Sequence, residues 1–252
     1  MIKNLSRMGL FCFVLSAFTA CDKNGNPSQD NLNDDVFELA VRRINPGQNI
    51  EEFENARDAF VAELLAQEGT SNDREFQPFF DFSQSLPIDS VYIGMTQYKD
   101  LATYQSIGQS LGNTQLAGNF FSKFSLLAFE ALQPLDEYQP IDLGELAKMG
   151  SGNVMEIAVR DLSAYPNFNQ ADYEAKRDAF LAALSQQNGF VREVQWRSIT
   201  NTNVAVGMTV YASQQAALAI LSDTNFTGSP AVTAFLGTYP PNSIATINTV
   251  LK

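Results

Sequence analysis

VMEIAVR (Val154–Arg160), EAKRDAFLAAL (Glu174–Leu184), REVQ (Arg192–Gln195) and VAVGMTVY (Val204–Tyr211) decide the reading of this chain, because each has an earlier counterpart. VFELAVR (Val36–Arg42), ENARDAFVAEL (Glu54–Leu64), REFQ (Arg74–Gln77) and VYIGMTQY (Val91–Tyr98) precede them in the same order, at offsets of 118, 120, 118 and 113 residues. Four ordered matches at near-constant spacing mark a duplicated domain. The two halves are 36–135 and 154–252, and the linker over 136–153 contains a short helix candidate and the flexible Gly150-Ser151-Gly152.

Working outward, each half reads β-α-β-β-α-β. Val36–Ile44 alternates Phe37, Leu39 and Val41 against Glu38, Ala40 and Arg42, the period of a strand. Asn45-Pro46-Gly47 has turn chemistry. From Ile50 to Glu68 the apolar residues fall at helical spacing, and Gly69 sits where a C-terminal cap belongs. Arg74–Phe82 is β-like, with Pro78 pointing to an edge or a bulge. Val91–Tyr98 is a second alternating strand, Leu101–Phe121 a helix weakened by Gly108, Gly112 and Gly118, and Ser125–Leu132 a last strand. The second half repeats this order: strand Val154–Leu162, helix Asn169–Gln187, strands Phe190–Ile199 and Val204–Tyr211, a broken helix from Gln214 to about Gly237, and strand Ser243–Leu251.

That order is the ferredoxin-like arrangement, an antiparallel sheet with both helices on one face. Two copies can pack their open sheet faces together. On the element order, the strand-helix opening and the mid-repeat pair of strands, Val36–Lys252 resembles the dimeric α+β-barrel superfamily, in particular its antibiotic-biosynthesis-monooxygenase-like domains. The resemblance implies an α+β fold in which two ferredoxin-like repeats form an intramolecular barrel. The chain would then be a monomer with an internal pseudo-dimer, where relatives are usually two-chain dimers. It also implies cofactor-free oxygenation, in which the protein binds and orients an electron-rich aromatic substrate. No catalytic residue carries over position by position.

Composition removes several chemistries. Histidine is absent, which excludes a Ser-His-Asp triad and a His-ligated zinc or haem. Cys12 and Cys21 are the only cysteines and build neither a disulfide framework nor a thiolate cluster. Phosphate loop, metal-carboxylate run and nucleophile elbow are all missing, so no metal or cofactor is expected. The formal net charge is −12 and no basic stripe occurs, which disfavours nucleic acid. A hydrophobic fraction of 45% with 19 Phe is ample for packed cores.

The N-terminus reads as an address and an anchor. Met1–Arg7 carries Lys3 and Arg7, Met8–Phe18 is almost wholly apolar but short for a membrane span, and FTAC ends at Cys21. Ala20-Cys21 resembles a bacterial lipoprotein signal, whose lipobox ends in a small residue and then the Cys that is lipidated; Phe18 stands where Leu is usual. The resemblance implies a signal peptide over 1–20, lipidation at Cys21 and a cell-envelope protein held on a bacterial membrane, on the periplasmic or cell-surface side. Losing Lys3 and Arg7 with the signal moves the charge from −12 to −14. An ordinary secretory signal cleaved nearby is the alternative. The polar stretch at 21–35 reads as a flexible tether, or as an acidic sorting signal.

For the site, the pleat separates two faces. Phe37/Leu39/Val41, Met155/Ile157/Val159 and their partners on the third strands are expected to face the helices. Glu38, Arg42, Tyr98, Glu156, Arg160, Thr209 and Tyr211 would then line the space between the sheets, where Gly94 and Gly207 leave room. Two readings of that lining stand side by side. Glu38–Arg42 and Glu156–Arg160 are ion pairs satisfying each other across a packed interface, or they surround a small apolar or aromatic ligand. The packed reading leads, because both copies keep the same residues. Trp196 is read as core or as the cap of an aromatic pocket, standing where the first half has Pro78. Arg57-Asp58 and Arg177-Asp178 read as solvated helix faces. Three functions follow: a lipid-anchored binder of a small ligand or partner, a cofactor-independent monooxygenase, or an interaction module with a filled barrel.

Overall fold

The computed structural model describes residues 34–135 and 140–252. The signal, Cys12, Cys21, nearly all of the tether and the start of the linker lie outside the described residues.

The first half runs β1 (Val36–Ile44), α1 (Ile50–Leu65), β2 (Thr70–Asp81), β3 (Val91–Tyr98), α2 (Leu101–Leu111), α3 (Gln115–Phe121) and β4 (Phe124–Leu135). After α4 (Leu143–Leu146) the second half runs β5 (Val154–Asp161), α5 (Gln170–Leu184), β6 (Phe190–Ser198), β7 (Val204–Tyr211), α6 (Gln214–Ser222), α7 (Thr224–Thr227), α8 (Pro230–Thr238) and β8 (Ile244–Val250). Local chemistry sets the helix boundaries. Asn49, Asp100 and Asn169 side chains accept from the first-turn N–H groups of α1, α2 and α5. Gly69 and Gly189 follow α1 and α5 at φ +90° and +95°, and a Cβ there would also lie 2.7 Å from Thr103 and 2.4 Å from Ala216. Only glycine meets both demands. The helix expected over Leu101–Phe121 divides where Gly112 ends α2 and the Thr114 hydroxyl caps α3.

The strands close a barrel in the order β1-β3-β2-β8-β5-β7-β6-β4, with every pairing antiparallel. Each half contributes four neighbours in the same sense, β4-β1-β3-β2 and β8-β5-β7-β6. They meet at two seams, β2 with β8 and β4 with β6, the latter running only from Leu132–Ser198 to Leu135–Gln195.

The strand faces are the reverse of the sequence expectation. Phe37, Leu39, Val41, Ile93, Met95, Met155, Ile157, Val159, Val206 and Met208 form one cluster with Phe76, Val194, Trp196 and Leu132, and this cluster fills the barrel. Glu38, Arg42, Glu156 and Arg160 lie on the opposite, outer face, beneath the helices. The α1 ring of Phe53 packs 5.0 Å from Tyr92, and Leu184 of α5 clusters with Tyr211. The physical reason is closure. A closed sheet keeps water from its interior, so the purely apolar set goes inward and the mixed set meets the helix layer.

Two further expectations change. The linker is not merely a connector: Ile141, Leu143, Leu146 and Ala147 join the interior cluster. Gln97 holds them there, donating to the Ile141 carbonyl at 2.8 Å and accepting from Leu143 N–H at 3.0 Å. The REFQ and REVQ blocks also match two residues out of structural register. Thr96 pairs with Asp73 and Thr209 with Glu193; Gly94 pairs with Glu75 and Gly207 with Gln195. The equivalence along β2 and β6 is therefore Asp73 with Glu193, Glu75 with Gln195, and Phe76 with Trp196. Trp196 stands where Phe76 stands, and not at Pro78.

Candidate functional site

On the outer face of the second half, β5, β7 and β6 lay out a row, Glu156–Thr209–Glu193, and beside it a second, Ala158–Gly207–Gln195. The floor is low because Gly207 has no side chain; a Cβ there would lie 3.0 Å from Glu193 Oε1 and 3.1 Å from Gln195 Nε2. Above this floor sits a cavity of about 90 Å³. Its polar side is Glu156, Arg160, Arg177, Glu193, Gln195, Thr209 and Tyr211. Its apolar side is Phe180 from α5, Phe226 from α7, Val232 and Phe235 from α8, and Phe82, which reaches across from the end of β2.

The polar groups are tied to one another. Tyr211 donates its hydroxyl to Glu156 at 2.7 Å. Glu193 accepts from the Thr209 hydroxyl and the Gln195 amide. Arg160 donates Nε–H to the Tyr239 carbonyl at 3.0 Å, and its guanidinium lies 4.9 Å from the centre of the Phe235 ring. Burial pushes the Glu193 carboxyl up to about 8, the Glu156 charge adds to the rise, and Thr209, Arg160 and Gln195 oppose it. Burial also raises Glu156, against the Tyr211 hydrogen bond and the Arg160 charge. Tyr211 is raised far above an ordinary phenol by burial and by Glu156, so it stays a donor. The cavity thus sets two carboxyls whose burial favours their protonated forms beside a phenol and two guanidiniums.

The first half carries the same frame, filled. Thr96 donates to Asp73 at 2.7 Å, as Thr209 does to Glu193. Over Gly94, however, lies the Arg42 guanidinium; a Cβ there would meet its Nη2 at 2.2 Å. Arg42 pairs with Glu75 at 2.5 Å, and Arg57 lies 3.6 Å from the other Glu75 oxygen. The Phe120 and Phe124 rings cover Arg42 at 5.4 and 5.8 Å. Burial pushes Glu38 up to about 7, with Arg42 opposing. Tyr98, equivalent to Tyr211, is raised by burial in the same way.

Of the residues singled out from sequence, Glu156, Arg160, Thr209 and Tyr211 meet around the cavity, and Glu38, Arg42 and Tyr98 occupy the equivalent region of the first half. Trp196 lies in the barrel interior, 4.8 Å from Phe37, away from the cavity lining. Arg57 and Arg177 are buried, at 2% and 5% exposure, and are not on solvated faces; only their Asp58 and Asp178 partners reach solvent. Sequence reasoning did not bring Glu193, Gln195 or Arg177 into the site. The available signal was parity: 193 and 195 share a strand face that the register sets against Thr209 and Gly207. Among the described residues no cluster of His, Cys, Asp and Glu suits a metal ion, and no helix is long and apolar enough to cross a membrane.

Neither a protein-family model nor a curated protein matches this sequence. Solved structures do. An anthrone oxidase-like protein matches over 87% of this chain and 92% of its own, at 12% identity and a TM-score of 0.62. The chlorite dismutase of Candidatus Nitrospira defluvii, as a point variant, matches over 87% and 92%, at 8% identity and a TM-score of 0.51. At such identities the likeness is one of fold: a mixed α+β chain with a closed, eight-stranded antiparallel barrel.

Proposed function

We propose that this chain is a lipid-anchored envelope protein whose second half binds a small ligand, without catalysis, in the cavity above Gly207. In this reading the two halves are a tandem duplication of a ferredoxin-like, antibiotic-biosynthesis-monooxygenase-like unit, supported by the shared strand order and the repeated outer-face residues. The observation that carries the binding reading is the cavity itself. It sets buried, hydrogen-bonding groups against a wall of Phe180, Phe226 and Phe235, the division of labour that small-molecule sites use. Its volume, about 90 Å³, is small beside ordinary ligand pockets of roughly 300–1,000 Å³, which favours a small ligand.

Native mass spectrometry of the gently purified protein tests this. We expect a small bound mass that is lost in Gly207→Val, whose side chain fills the floor. A wild-type protein carrying no such mass would count against the reading. A second reading, a cofactor-independent monooxygenase acting on a small aromatic substrate, draws on the likeness to the anthrone oxidase-like protein. Substrate-dependent oxygen uptake that disappears in the same variant would favour it over a binder. For the anchor, Cys21→Ser is expected to release the protein from membranes into the soluble fraction. A variant that stays membrane-bound would refute the lipid attachment.

A further inference from the structure

The cavity over Gly207 lies on the second half, yet its rim is built in part by the first. Among the described residues that line it, Phe82 at 39% exposure and Leu236 at 37% are the exposed ones; the rest are buried or half-buried. A residue that both lines a cavity and faces solvent marks where the two meet. Phe82 follows β2 of the first half, whereas Leu236 is carried by α8 of the second. We propose that Phe82 is a specificity-determining residue: its ring, with Leu236, forms the mouth of the second-half cavity and limits the girth of what enters. The proposal rests on the reading of the cavity as a ligand site, and adds how that site selects by size.

Three observations support it. The backbone of Phe82 is fixed to the other half, because its N–H donates to the Ala245 carbonyl of β8 at 3.0 Å. The ring is held as well: it stands edge-on to Phe80, with centroids 5.2 Å apart and planes at 85°, and Phe80 packs against the cluster of Leu184 and Tyr211. The chain around it is clamped in a turn. The Asp81 carboxylate accepts from the N–H groups of Ser83, Ser85 and Leu86 at 3.1, 2.8 and 2.9 Å, and the Leu86 side chain packs against the barrel cluster. With backbone, ring and turn all held, Phe82 stands as a fixed constriction whose edge-to-face contact must be given up to widen it. Its reach comes from a long connection: β2 ends at Asp81 and β3 begins at Val91, whereas β6 ends at Ser198 and β7 begins at Val204.

Cysteine labelling of the cavity wall tests this whatever the ligand is. Val232 lines the cavity from α8 at 3% exposure, and Val232→Cys in the full-length protein places a thiol of similar size there. Methyl and benzyl methanethiosulfonate are the probes, and peptide mass mapping separates label at position 232 from label at Cys12 or Cys21. Val206→Cys, in the barrel interior at 0% exposure, reports labelling that passes through unfolding, and each rate at 232 is read relative to it. We expect Phe82→Ala to speed benzyl labelling at 232 by about tenfold, the scale of one lost aromatic contact, with a smaller gain for the methyl reagent. Phe82→Trp should slow the benzyl reagent and guards against an alanine variant that fails to fold, with near-ultraviolet circular dichroism reporting the fold of each. Benzyl rates unchanged in the folded variants, or equal gains for the two reagents, would overturn Phe82 as the mouth. So would labelling at 232 that is no faster than at 206 in every form. The bound mass in the native protein judges the ligand site separately, because labelling reads only the way in.

Discussion

Replacing Glu193 by Gln should make the protein more stable at alkaline pH and leave it almost unchanged in acid. Burial raises the carboxyl from 4.5 to about 8. The folded state therefore keeps a proton that the unfolded state gives up across that window, and the stability associated with it is present in acid and lost as pH rises. Each pH unit in the window is worth about 1.4 kcal/mol, so the wild-type protein should lose about 3 kcal/mol from this residue alone between pH 5 and pH 8. Gln mimics the protonated acid: its amide can donate to the Thr209 hydroxyl, and its carbonyl can accept from the Gln195 amide. Glu38 and Glu156 also sit above their ordinary range, but they are present in both proteins and largely cancel in the difference. Urea denaturation of wild type and Glu193→Gln at pH 5 and pH 8 gives four unfolding free energies. The gap between the proteins should widen by about 3 kcal/mol toward pH 8. A gap of the same size at both pH values would refute the argument that Glu193 is held protonated by burial.

Two further outcomes follow from the packing. Trp196→Ala removes a large side chain from the filled barrel and should cost roughly 3–5 kcal/mol in thermal or urea unfolding, while leaving affinity for a cavity probe unchanged; loss of affinity with little loss of stability would put Trp196 back in the site. Arg42→Met removes the closest partner of the buried Glu75 carboxylate and should cost roughly 3–5 kcal/mol at neutral pH, less in acid where the carboxyl is protonated, as paired denaturation curves would show.

Much of the fold was legible because alternation and helical spacing are local properties. Val36–Ile44 and Val91–Tyr98 emerge with the bounds that their patterns predict, and the long helical stretches break at Gly112 and at Asp223 and Ser229-Pro230, which carry turn and cap chemistry. The orientation of the faces was not legible in the same way. Alternation divides Phe37 from Glu38 but says nothing about which side a closed barrel encloses, and here both sides are covered. The site was half legible for that reason: Glu156, Arg160, Thr209 and Tyr211 share a face whichever way it points. Gln195 was hidden by the resemblance of REFQ to REVQ, which aligned Glu75 with Glu193 and concealed that Gln195 is the residue paired with the floor glycine of the second half. Only hydrogen-bond register, a long-range property, separates those alignments. The burial of Arg57 and Arg177 was hidden because the acids beside them make the helix face look solvated.

The plug formed by Ile141, Leu143, Leu146 and Ala147 carries a consequence for how the chain can vary. Both halves and the segment between them share one interior, so neither half can be cut away or repacked there without disturbing the other. The helix layers are different: apart from Phe79, Phe80, Phe82 and Ile199 at the seams, each half covers its own outer face with its own aromatic residues. Substitutions inside are felt by the whole molecule, and substitutions outside are felt mainly by one half. A chain built this way can keep one foundation while its two outer faces differ, one packed with the Arg42 guanidinium over Gly94 and the other enclosing a cavity over Gly207.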